Sequence, residues 1–165
     1  MLIKIIRWLC KIFNIQIEDD ITEVETKKEI SYTKKEFMSS YELKFYQILL
    51  ELENDYNIVP QVNLGTIVTK VDNNRYRNEL FRNIDFGIFS KDFKELLLLI
   101  EINDQTHNQP NRKKRDSSVK NICEIAGIKL MTFHTDKPNE KTYVINRIKN
   151  AINEIKNNND INQSL

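Results

Sequence analysis

The sequence predicts an α/β protein in which a mixed central sheet is flanked by helices. Three observations carry that expectation. The run Glu95–Asn103 holds four leucines and two isoleucines almost without interruption, the composition of a strand covered on both faces. Apolar stripes at helical spacing, with start and stop signals, stand on both sides of it. The elements follow in the order helix, three strands, helix, strand, helix, a pattern that suits a sheet layered with helices.

Length and charge bound the rest. A chain of 165 residues, 40% hydrophobic and 30% charged, is one ordinary globular domain's worth. A net charge of +1 provides no global basic field, so any nucleic-acid binding has to come from local clusters. Cys10 and Cys123 are far apart and have no metal-ligand spacing, which argues against a zinc knuckle or a disulfide framework. A reducing compartment, and so a cytoplasmic protein, is expected.

Residues 1–15, MLIKIIRWLCKIFNI, place Lys4, Arg7 and Lys11 on one side of an amphipathic helix otherwise covered by Leu2, Ile5, Ile6, Leu9, Ile12 and Phe13. That helix is too short and too often charged to cross a bilayer, and it lacks a signal-peptide cleavage site. Two roles stay open for it. It lies on the inner membrane surface with Trp8 at the boundary, or it docks on protein. Residues 16–36 turn polar, acidic first and then basic, and read as a linker.

The folded domain is expected over 37–155. Ser39 followed by Glu42 forms a capping box that starts a largely buried helix from Tyr41 to about Asn54. Ile58–Val68 and Arg82–Phe89 read as strands, and Ser90–Lys94 turns the chain into the strand Glu95–Asn103. A polar loop is expected from Asp104 to Arg115. Asp116 or Ser117 then caps a helix with the stripe Val119, Ile122, Cys123 and Ala126, ended by Gly127. Ile128–Phe133 is a strand, and a last helix from about Glu140 to Ile155 presents Val144, Ile148, Ile152 and Ile155 on one face. The tail, 156–165, has nothing to bury and is expected to be disordered.

Two acids stand inside apolar strands, Asp85 in NIDFGIF and Glu101 in LLIEIND. Burying an unpaired carboxylate costs several kcal/mol (roughly), so each needs a partner or a cation. A hairpin between their strands sets both near one edge of the sheet, where paired carboxylate oxygens suit Mg²⁺. Asn103, Asp104 and His107 follow at the end of the most buried strand, where α/β sheets place their sites. For any two strand acids taken alone, a turn cap and a pairing with Arg82 are the simpler explanation. His107 is a candidate for proton transfer, and His134 is read as structural. Arg112, Lys113, Lys114 and Arg115 precede the expected helix start, where phosphates of a nucleic acid would offset their charge, though a solvated loop is the commoner reason for such a run. Lys120, in the expected first turn, is a candidate to steady a phosphate.

The segments FMSSYELKFYQIL, VPQVNLGTIV, NIDFGIF, LLLIEINDQTH and RKKRDSSVKNICEIAGIKLM together resemble the domain of unknown function family 2726, a restriction-endonuclease-like group, over roughly Phe37 to Ile152. The resemblance implies the αβββαβ core of the PD-(D/E)XK nucleases. It implies that Asp85 and Glu101 hold Mg²⁺ or Mn²⁺, with Glu42 as the first-helix acid that completes such sites. The family pattern Glu-x-Asp-Asp-x-x-His reads here with Asn103 in place of its first Asp. The superfamily's usual lysine is also absent at that position, as in very-short-patch repair endonucleases, to which the Glu…His arrangement is similar. Lys120 or His107 would then supply the missing charge or proton transfer.

Two functions are expected in competition. One is a metal-dependent nuclease cleaving phosphodiester bonds in DNA or RNA with Asp85, Glu101, His107 and Lys120. The other is a nuclease-like module without catalysis that binds nucleic acid or a protein partner, with residues 1–15 available to hold it at the membrane surface. Asn103 favours the second.

Overall fold

The computed structural model describes residues 31–71, 77–103 and 110–163, with 110–116 and 159–163 considered by their backbone alone. The expected helix over 1–15, most of the linker, Asp104 and His107 lie outside the described residues. Residues 31–35 are exposed and without regular structure, and a compact unit begins at Glu36. No helix among the described residues is long and apolar enough to cross a membrane.

Helix α1, Ser40–Leu49, starts where the capping box places it. The Ser39 hydroxyl accepts from the Glu42 N–H, and the Glu42 carboxylate accepts in return from the Ser39 N–H. Two donors that the helix leaves without partners are thereby satisfied. Replacing Ser39 with Ala is expected to cost about 1 kcal/mol, read as a lower urea midpoint at unchanged slope. The helix tightens into a 3₁₀ turn over Leu50–Leu52, so the expected single helix to Asn54 is shorter and mixed in type.

Strand β1, Asn57–Asn63, ends earlier than the β-branched run Ile58–Val68 suggested. Asn63 is the reason. Its side chain accepts from the Gly65 N–H at 3.0 Å and caps a one-turn helix, Leu64–Ile67. A local side-chain bond therefore overrides strand propensity. Strands β2, Asn83–Phe89, and β3, Leu96–Asn103, form the expected hairpin.

Helix α2 runs over Pro110–Ile125 and corrects the expected loop. It begins at Pro110, not after Asp116 or Ser117, because a proline in the first turn has the right φ and lacks an N–H that would be unpaired there anyway. Arg112–Arg115 thus belong to the early turns of the helix, and Lys120 lies in its middle. The stop is as expected. Gly127 has φ 69°, the Ile128 N–H donates to the Cys123 carbonyl at 2.8 Å, and the Gly127 N–H donates to that of Glu124 at 3.1 Å. This is a Schellman ending. Strand β4, Leu130–His134, and helix α3, Lys141–Gln163, complete the chain. The expected disordered tail instead continues α3 as far as Gln163. No Gly or Pro interrupts KNNNDINQ, so the backbone ladder propagates.

The sheet order is β1-β2-β3-β4, with β1/β2 and β2/β3 antiparallel and β3/β4 parallel. Only the last pair needs a crossover, which α2 provides. Leu98 and Ile100 pack with Phe45, Leu49, Phe86, Phe133 and Ile148 from α1, the sheet and α3. Leu99, between them, joins Val119 and Cys123 of α2. This alternation makes β3 the strand covered on both faces. Pro60, which cannot donate to a ladder, sits in the edge strand β1.

Candidate functional site

The β2–β3 register pairs Gly87 with Leu99 and Phe86 with Ile100. Continued by one residue, it sets Asp85 across from Glu101, as expected of a hairpin between their strands. The ladder gives way there, and the Asp85 Oδ2 accepts from the Ile102 N–H at 2.6 Å. A third acid arrives from α1. Glu42, one turn into that helix, shares a side-chain hydrogen bond with Asp85. The Gln61 Nε2 on β1 donates to the Glu42 Oε1 at 3.2 Å. Glu42 thus keeps the capping role read from the sequence and reaches the site as well.

Electrostatics follow from this crowding. Burial pushes the Asp85 carboxyl up to about 7, helped by the bond to Glu42 and the charges of Glu42 and Glu101, and opposed by the Ile102 N–H. Burial also acts upward on Glu42, but its bonds to Ser39, Asp85 and Gln61 outweigh this and hold it below the usual carboxylate value. The two shifts run in opposite directions, so below about pH 7 a proton on the pair favours Asp85, which is then placed to donate to the ionised Glu42. Burial raises the Cys123 thiol as well, with the Glu101 charge second, so Glu101 acts on α2 and on Asp85 together.

Among the described residues, no group of three or more His, Cys, Asp or Glu side chains is arranged to hold a metal ion. The donors around Asp85 are nonetheless carboxylate oxygens, those of Glu42 and Glu101, in a part-buried setting. That chemistry fits a hard cation such as Mg²⁺, which keeps several waters and needs only one or two carboxylates. It does not fit a closed protein cage.

The structure brings Glu42 and Glu101 each to Asp85. Lys120 is exposed on α2. Side chains of Arg112, Lys113, Lys114 and Arg115 lie outside the described set, as does His107. His134 closes β4, and its carbonyl accepts from the Asn139 amide at 2.8 Å. Gln61 has no counterpart among the residues that the sequence singled out. The available signal was a lone glutamine after Pro60 in an otherwise apolar strand, VPQV.

A mixed sheet between helices, with a part-buried Asp85 approached by Glu42 and Glu101 where the central hairpin frays, defines the class: an α/β domain with an acidic cluster at the end of its central hairpin. The family model described as protein of unknown function (DUF2726) matches residues 34–152, and the chain belongs to that family. An uncharacterized protein of Haemophilus influenzae is 28% identical over 109 residues, which is 62% of this chain and 55% of the relative. The chain therefore spans about half the length of that curated relative. No solved structure matches the chain.

Proposed function

We propose that this is a metal-dependent nuclease with a restriction-endonuclease-like, PD-(D/E)XK core, cleaving phosphodiester bonds in DNA or RNA. The observation that carries the reading is the approach of Glu101 and of the first-helix acid Glu42 to the part-buried Asp85 at the end of the β2–β3 ladder. The order of helix, three strands, helix, strand and helix around a mixed sheet agrees with it.

Asp85 and Glu101, with Glu42 behind Asp85, would hold Mg²⁺ or Mn²⁺. When bound, the cation supplies an activated water and neutralises charge on the phosphate. The Ile102 N–H keeps one Asp85 oxygen oriented, and the bond to Glu42 keeps the second carboxyl in place. His107 would assist proton transfer. Arg112, Lys113, Lys114 and Arg115, on the early turns of α2, and Lys120 further along it would meet nucleic-acid phosphates. A cytoplasmic protein, held at the inner membrane surface by residues 1–15, belongs to the same proposal.

The purified chain with Mg²⁺ or Mn²⁺ is expected to nick plasmid or cleave single-stranded nucleic acid. Glu101→Ala should reduce the rate by roughly 100-fold or more, as losing a metal-holding carboxylate does. Cleavage surviving that change defeats the assignment. One observation favours a second reading, a module that binds without cutting: Asn103, paired with His134 at the end of β3, replaces an acid of the family pattern. Nucleic-acid binding with no calorimetric Mn²⁺ signal at millimolar concentrations would select it.

A further inference from the structure

We propose that Gln61 is a positioning residue that aims the Glu42 carboxylate at Asp85. Two observations meet on this side chain. The β1–β2 register steps from Pro60↔Phe86 to Val62↔Ile84, so Gln61 falls opposite Asp85 in an otherwise continuous ladder. At that point alone in β1 the backbone turns to a positive φ, 55°, which a residue with a side chain rarely adopts. The ladder resumes at once, so the distortion is local to the site. From there the Gln61 Nε2 donates to the Glu42 Oε1 at 3.2 Å. The other Glu42 oxygen accepts from the Ser39 N–H.

Those two donors, one from the helix cap and one from the edge strand, leave the carboxylate little freedom to rotate. Ser39 alone would fix only the oxygen used for capping. Gln61 holds the second, so the carboxylate that bonds Asp85 is tethered at both oxygens. Strain kept at a functional site because surrounding structure enforces it has this form: an unfavourable backbone on one residue, next to the groups that need orienting. Outer hydrogen bonds of this kind tune a cation site without touching the cation.

The inference rests on the cation-site reading of Glu42, Asp85 and Glu101, and the experiment keeps the two apart. Gln61→Asn tolerates the left-handed backbone but is one methylene too short to reach Glu42. Gln61→Gly relieves the backbone and removes the amide. Both variants are expected to melt no lower than the parent chain, yet to bind Mn²⁺ roughly 10- to 100-fold more weakly by calorimetry. Affinity within twofold of the parent in either variant, with folding intact, overturns the proposal. A second measurement needs no metal. In nitrogen-correlated NMR spectra, the Gln61 side-chain NH₂ resonances are expected to shift in Glu42→Gln, and their failure to move overturns the proposal. If the parent chain binds no Mn²⁺ while those resonances do shift, the cation reading fails and the positioning of Glu42 stands.

Discussion

Asp85→Asn is expected to stabilise the metal-free protein at neutral pH and to abolish most of its pH dependence between about 4 and 7. The Asp85 carboxyl moves from its ordinary 3.8 up to about 7 on folding, through burial first and the neighbouring acids second. Across that window the folded chain holds a proton that the unfolded chain has released. Stability is therefore full at low pH and is lost as pH rises through about 7. The loss is on the order of 3 kcal/mol at pH 8, since a tenfold change in proton affinity corresponds to about 1.4 kcal/mol and residual solvent access trims the total. Asparagine mimics the protonated acid: its oxygen accepts from the Ile102 N–H and its NH₂ donates to Glu42. Thermal melts in EDTA from pH 5 to 8 should fall for the parent chain and stay level for the variant. Added Mn²⁺ should reverse the ranking, because only the aspartate lends the cation a charge. A flat parent profile would refute the proton held on Asp85.

Phe45→Ala is expected to be among the most damaging single changes, at about 3–5 kcal/mol. The ring is 1% exposed, and its centroid lies 5.0 Å from that of Phe133 and 6.1 Å from that of Phe86. It pins α1 to both β2 and β4, and a close-packed core collapses only partly around such a hole. Glu42 sits one turn earlier on the same helix, so the variant should also lose Mn²⁺ affinity at temperatures where it remains folded. Phe37→Ala is the control. Phe37 is 64% exposed, and its loss should change stability by no more than about 0.5 kcal/mol. Urea titration of both variants reads the contrast, and equal midpoints would show that Phe45 does not anchor the helix.

The acids and their setting differ in how far a linear chain reveals them. Asp85 and Glu101 stand out because each interrupts an apolar strand, and strand period plus a short turn is enough to set them together. Glu42 is visible as a cap, since Ser-x-x-Glu is a local pattern. Its bond to Asp85 is not, because that meeting depends on how α1 crosses the sheet. Gln61 carries no periodic signal at all: its backbone leaves the strand conformation, and its partner lies on another element.

Local chemistry in the chain was sufficient for the class of fold, for the order of its main elements, for the Ser39–Glu42 cap, for the Gly127 ending and for the burial of β3. Caps, turns and periodicity act over a few residues, so the amino-acid order specifies them directly. Element limits that turn on competing local bonds came out differently. Asn63 ends β1 early, and Pro110 starts α2 where a run of charges looked like a loop. Tertiary packing alone decided the protonation of the site. Asp85 on β2 is raised only when Phe45 and its neighbours press α1 onto the sheet, because burial comes first and the charges of Glu42 on α1 and Glu101 on β3 add to it, and neither acts along an extended chain.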